Sequence, residues 1–310
     1  MTGEVINCVG SMMIYMALGY LLCKTGKGVA SHAKTFSGFL IYVLNPAMIL
    51  NAFLHTEFST EAVEKLGLFF VITLATQLLF FLALYVIFRK KYSDPAYRIF
   101  TVGSVMGNVG FLGLPVITGV FPEESIVACY STMYVMSMNL LVFTIGVYLI
   151  TNDRRFISVK SAILNPTTLS IFAALPLFIL QVKLPAVLND SIGLLAKMVT
   201  PVCMLVLGMR MSTVRLKSLF TRAFVYKACL MKLVVYPLFA FACVAFIPFP
   251  DRTMKISVLL LSAVPSGAVI NSLAELHECE QEFSANVVLM TTLMCVVTIP
   301  LFSLAVQYLL

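Results

Sequence analysis

Nine consecutive residues, Gly107-Asn108-Val109-Gly110-Phe111-Leu112-Gly113-Leu114-Pro115, place three glycines, an asparagine and a proline inside an apolar run from Phe100 to Phe121. Proline lacks an amide donor and collides with the preceding turn, and each glycine lowers helix stability by about 1 kcal/mol relative to alanine. A helix cannot pass through such a stretch undisturbed. In hydrocarbon, backbone groups freed by a break must be satisfied by protein or by a water-filled cavity. A helix broken at mid-membrane therefore predicts a binding site, and the N-terminus of the half-helix beyond the break is positive and suited to an anion. Asn108, Gly110 and Pro115 are the first candidate site residues. Glycines of this kind can also serve close helix packing; the buried asparagine and the proline together favour a site.

A second stretch has the same character. Ser262-Ala263-Val264-Pro265-Ser266-Gly267-Ala268-Val269-Ile270-Asn271 again sets a proline among small and polar residues. If the two breaks cross near the membrane centre, a carboxylate there meets unpaired backbone amides and donors from Asn108, Ser266 and Asn271 beside Pro265. Ser262 and Ser266 could instead bond back to their own helix, and Asn271 could be a helix cap. Asn45-Pro46 is expected to break an earlier segment, where Asn45 either adds a donor to the site or relieves a kink. Gln77, Asn139 and Asn286 are expected to bond between helices. Lys227 and Lys232 are costly inside an apolar segment and are functional candidates, although both read as lying toward the cytoplasmic half, from where they can snorkel. No Asp or Glu is centrally placed, so a carboxylate proton relay has no obvious residue.

Composition sets the solvent of these segments. The 310 residues are 60% hydrophobic and 11% charged, with a mean hydropathy of +0.99. That excludes a soluble domain and indicates a polytopic membrane protein with the lipid bilayer as its surroundings. The net charge of +7 is spread over short loops between apolar runs, which argues against a nucleic-acid partner and for membrane topology. Seven of the eight cysteines lie in apolar segments, Cys279 stands in a polar loop, and no C-x-x-C pair occurs; His32, His55 and His277 are scattered. No metal site and no disulfide framework is expected. A phosphate-binding loop, a nucleophile elbow and a dinucleotide fingerprint are all missing. With no nucleophile and base, metal set or carboxylate pair to assemble, neither an enzyme nor a cofactor is expected.

An apolar run needs about 20 residues to cross the bilayer, and ten segments meet that length: 5–23, 36–55, 66–88, 97–121, 125–150, 162–182, 191–211, 223–247, 254–274 and 284–309. Basic residues follow the first run rather than precede it, so that run reads as a retained span and not as a signal peptide. Fourteen of the 21 Lys and Arg fall in alternate loops: Lys24, Lys27 and Lys34; Arg89 to Arg98; Arg154 to Lys160; and Arg210, Arg215, Lys217 and Arg222. The positive-inside rule puts these loops in the cytoplasm and both termini outside. The acidic loop 275–282 is also cytoplasmic on this reading. Pro46 and Pro201 are 155 residues apart, Pro115 and Pro265 are 150 apart, and Thr144-Ile145 recurs as Thr298-Ile299 at 154. Such near-equal offsets predict a duplication, 1–155 and 156–310. Five spans per repeat give the halves opposite orientations. The expected fold is all-α, with ten transmembrane helices in a 5+5 inverted repeat.

Gly107-Asn108-x-Gly110-Phe111-x-Gly113-x-Pro115 and the Thr291-Thr292…Thr298-Ile299-Pro300 ending resemble the auxin efflux carrier family, which includes bacterial permeases for malate and other organic acids. The resemblance covers essentially the whole chain. The loop Thr151 to Ser161 is minimal, unlike the longer central loop of plant members, so the chain is more similar to the bacterial permeases. The resemblance implies the fold of the bile-acid sodium symporters. Helices 1, 2, 6 and 7 would form a scaffold, able to pair as a homodimer. Helices 3–5 and 8–10 would form a moving elevator, with helices 4 and 9 crossing. It implies an anion site at Asn108, Pro115 and Pro265, with Ser266 less firmly assigned. The acidic residue that supports this site in plant carriers has no clear counterpart here.

The resulting expectation is a secondary transporter of small organic anions in a bacterial inner membrane, working by alternating access. A sodium-coupled organic-anion symporter and a ligand-binding membrane sensor are the alternatives. Dependence of flux on sodium marks the first, and binding without flux marks the second.

Overall fold

The computed structural model describes residues 2–213, 216–247 and 251–309, so Arg215 of the basic loops lies outside the described residues. Among the described residues eight helices are long and apolar enough to cross a membrane: α1 (Ile6–Lys24), α2 (Ala30–Leu54), α3 (Thr60–Lys91), α6 (Ile126–Thr151), α7 (Arg154–Ile179), α8 (Ala186–Met211), α9 (Ala223–Ala245) and α12 (Gln281–Val306). Apolar chain in lipid has no water to bond its amides, so the backbone satisfies itself within each helix. Large apolar side chains such as Ile14, Leu18, Val71, Leu82 and Val86 face outward, as lipid permits and water does not.

Two segments are not continuous. The fourth is divided into α4 (Pro95–Val105) and α5 (Val109–Val120), and the ninth into α10 (Arg252–Ser262) and α11 (Ala268–Leu276). The two entering halves are built alike. Each has 11 residues, and each starts at an aspartate cap: Asp94 Oδ1 accepts from Ala96 N at 2.9 Å, and Asp251 Oδ1 accepts from Met254 N at 2.7 Å. Such caps satisfy amides that the first turn leaves unpaired.

Asn45-Pro46 does not break its segment as expected. Helix α2 continues through it after a widened π turn at Leu40–Leu44. The same device precedes Pro115, at Val109–Gly113, and Pro237, at Met231–Val235. In each case the proline is the second residue after the turn, where a π bulge relieves the contact with the preceding carbonyl.

Helix α1 packs along α8, and α2 packs against α7 and α8; elsewhere α3 packs on α6, and α9 on α10 and α12. The α1–α8 crossing depends on two glycines. A Cβ on Gly19 would run into the Leu205 carbonyl, and one on Gly208 into the Met16 carbonyl and, at 2.8 Å, Tyr20 N. Small residues let membrane helices approach backbone to backbone. Gly208→Ala is expected to cost about 1–3 kcal/mol by overpacking and to lower the midpoint of thermal unfolding in detergent. A wild-type midpoint would show that the helices separate freely at this point.

Candidate functional site

The two breaks meet. Gly107 and Ser266 form an antiparallel bridge, the only β pairing among the described residues outside strands. Asn108 N donates to Pro265 O at 2.7 Å, and Gly267 N donates to Met106 O at 3.0 Å. Each segment thus uses its unwound backbone to satisfy the other's, which is what allows non-helical chain to lie inside apolar surroundings. There is no room for side chains between them. A Cβ on Gly107 would stand 2.9 Å from Val264 Cγ2, and one on Gly267 would stand 3.0 Å from Gly107 O.

Asn108 is the N-cap residue of α5, but its side chain makes no capping bond; its carbonyl accepts from Leu112 N at 3.0 Å and Gly113 N at 3.3 Å. The Cys203 thiol of α8 lies beside the side chain. Gly267 opens α11 without a side-chain cap. Among the described residues the first-turn amides of both departing helices have no side-chain acceptor, the condition for binding an anion at a helix N-terminus. Around the start of α5, Asn45 Oδ1 lies 4.0 Å from where a Gly110 Cβ would be, Thr200 Oγ1 donates to Phe111 O at 3.2 Å, and Ser131 Oγ donates to Val109 O at 3.3 Å. Asn45 itself donates to Thr167 Oγ1 at 2.7 Å.

The other expected site residues divide. Pro115, two turns or about 10 Å along the helix from Asn108, lines a cavity of about 420 Å³ on the face where α1 begins and α2 ends. Pro265 supplies the bridging carbonyl. Ser266 is wholly committed to structure: its hydroxyl donates to Gly103 O at 2.8 Å and its amide donates to Thr291 Oγ1 at 3.1 Å. Ser262 bonds back to Leu259 O in its own helix. Asn271 sits away from the crossing, donating to Glu275 Oε1 at 2.6 Å and accepting from Ser284 Oγ at 2.8 Å. It lines a second, smaller cavity of about 90 Å³, with Arg210 and Glu275, on the opposite face where α8 ends and α12 begins.

Of the interhelical polar groups, Gln77 donates to Ser137 Oγ at 2.7 Å and Asn139 to Asn165 Oδ1 at 3.4 Å, as expected. The Asn286 side-chain carbonyl is buried without a partner among the described residues. Lys227 is exposed, but Lys232 is not a snorkelling residue: it is fully buried, and its ammonium donates to Ser262 O at 2.9 Å and Val105 O at 3.4 Å.

One residue escaped the sequence reading altogether. Lys197 of α8 lines the larger cavity with Ser11, Asn51, Pro115, Thr118 and Thr200, and among the described residues no acidic side chain lines it. The signal was present, because a lysine within the apolar run 191–211 is costly unless it faces water or a ligand.

Helices packed as membrane spans, two of them broken and crossed between cavities on opposite faces, form an arrangement suited to a membrane transporter. The comparisons with known proteins agree. The membrane transport protein family, which is of the auxin efflux carrier type, matches residues 5–155 and 151–303, and the chain belongs to it. An uncharacterized transporter of Methanothermobacter thermautotrophicus is 25% identical over 299 residues, covering 94% of this chain and 95% of the relative. An uncharacterized transporter of Methanocaldococcus jannaschii is 26% identical over 300 residues, again covering 94% and 95%.

Proposed function

We propose that this transporter moves small organic anions, carboxylates such as malate, by alternating access in a bacterial inner membrane, with both termini outside. The observation that carries the proposal is Lys197: a cation in a cavity of about 420 Å³ that has no carboxylate in its lining among the described residues and adjoins the broken helix at Pro115. An ammonium facing a water-filled cleft attracts anions and repels cations. The volume falls in the range of small-molecule pockets. A carboxylate drawn in by Lys197 has hydroxyl and amide neighbours in Ser11, Asn51 and Thr118, and the uncapped start of α5 lies deeper along the same helix.

Alternating access has its support in the pair of cavities. They lie on opposite faces of the crossing, one about 420 Å³ and the other about 90 Å³. Helices 2, 4 and 5 of the first half contribute to the larger, and their partners in an inverted repeat, helices 7, 9 and 10, contribute to the smaller. In this scheme the broken segments complete ten crossings and the halves 1–155 and 156–310 are the repeats. Helices α1, α2, α7 and α8 pack together as a scaffold that can pair as a homodimer, and the crossing segments move past them. The larger cavity is then the outward mouth.

Binding of mono- and dicarboxylates to the purified protein tests this reading. Asn108→Ala removes a polar group that borders the start of α5 and is expected to weaken carboxylate binding about tenfold, the equivalent of one hydrogen bond to a charged group, while leaving the melting profile cooperative. Unchanged affinity in the folded variant would remove Asn108 from the site.

A further inference from the structure

The crossing contains a cation that nothing so far has used. Val105 is the last residue of α4 and Ser262 the last of α10. The final carbonyls of a helix have no partner inside it, and its C-terminus carries about half a negative elementary charge. Two such ends converge on one point between the breaks. The Lys232 ammonium occupies that point, 2.9 Å from Ser262 O and 3.4 Å from Val105 O. The Tyr236 ring lies beneath it, with Nζ 4.7 Å from the centroid, and the Tyr236 hydroxyl is in turn bonded to Tyr134 at 2.6 Å. Lys232 is fully buried and forms no ion pair among the described residues. Backbone closes over it as well, since a Cβ on Gly107 would come within 3.1 Å of Nζ.

We infer that Lys232 is a resident counter-cation: its tethered ammonium fills the place between the two half-helix C-termini that a free metal cation would otherwise occupy. Converging carbonyl ends of broken helices coordinate cations, and two ends of about half a charge each are balanced by a single ammonium. The consequence is a division of sign across the crossing. The C-termini of α4 and α10 are neutralised by protein, whereas the N-termini of α5 and α11 keep their positive ends for an external anion. That arrangement suits the proposed function, on which this consequence rests, and the inference about Lys232 deepens it by removing the need for a co-bound cation at this point. Lys232 is a positioning residue, since it holds backbone and not substrate.

Thermal unfolding of the full purified chain, with no substrate present, tests the inference independently of any carboxylate. The wild type is expected to melt at the same temperature in sodium chloride and in choline chloride at matched ionic strength. Lys232→Ala is expected to melt lower, and ethylammonium, which restores a small N–H donor cation, is expected to raise its midpoint saturably. Tetramethylammonium, which has no N–H, and ethanol, which has no charge, are expected not to do so. Lys232→Met fills the volume without charge and is expected to remain destabilised. A saturable sodium shift in the wild type, a wild-type midpoint in Lys232→Met, or equal rescue of Lys232→Ala by ethanol would each overturn the assignment. Because no transport is measured, a failure of carboxylate binding leaves these outcomes intact, and their failure leaves the carboxylate reading intact.

Discussion

Lys197→Glu is expected to abolish saturable carboxylate binding, and Lys197→Gln to weaken it roughly tenfold to a hundredfold. Neutralising the lysine removes a charge-assisted hydrogen bond worth about 1.5–3 kcal/mol, and each 1.4 kcal/mol is about tenfold in affinity. Reversing the charge adds repulsion of the substrate from a cavity that has no other basic side chain in its lining among the described residues. Fold should be spared, since Lys197 is exposed to the cavity and forms no ion pair among the described residues. The measurement is calorimetric titration of the folded variants. Binding by Lys197→Glu at wild-type affinity would place the anion elsewhere.

Gly107→Val is expected to be at least as damaging, for the opposite reason: it spares every polar group and removes the crossing. A Cβ there already comes within 2.9 Å of Val264 Cγ2 and 3.1 Å of the Lys232 ammonium, and two further methyl groups have no free space. Overpacking costs about 1–3 kcal/mol. Here the clash also pushes apart the backbone bonds Asn108–Pro265 and Gly267–Met106, and each buried amide or carbonyl left unpaired costs a further 1–3 kcal/mol or so. Loss of both transport and monodisperse protein is expected. Gly3→Val, at a position with nothing within 4 Å of its Cβ, serves as the control. A well-folded, active Gly107→Val protein would mean that the bridge is dispensable.

The contrast between these glycines and lysines shows what the sequence makes legible. Glycine and proline act on their own backbone, so the breaks at Gly107–Pro115 and at Pro265–Gly267 could be located from residue types alone. Asn45-Pro46 reads as a break, but a proline can be absorbed by one widened turn, a choice made by neighbouring packing and not by the local sequence. The roles of polar side chains depend on what lies opposite. Ser266 was expected to offer its hydroxyl to a ligand, yet Gly103 of the other segment takes it. Asn271 was expected near the crossing but closes a network with Glu275 and Ser284 at the start of α12. Lys232 reads from sequence as a functional candidate that can also snorkel; what decides between the two is the ends of α4 and α10 opposite it, whose carbonyls of Val105 and Ser262 take its ammonium in a fully buried place. Lys197 carries the same signal as Lys232, an ionisable side chain inside an apolar run.

Counterflow into proteoliposomes tests the central claim most directly. Vesicles loaded with unlabelled malate are supplied with trace labelled malate or another small carboxylate, with sodium or choline outside. Saturable accumulation of label is expected in both salts, with loss of accumulation in Lys197→Glu. Folded wild-type protein that exchanges no carboxylate in either salt, or that accumulates it equally well with glutamate at position 197, would contradict it.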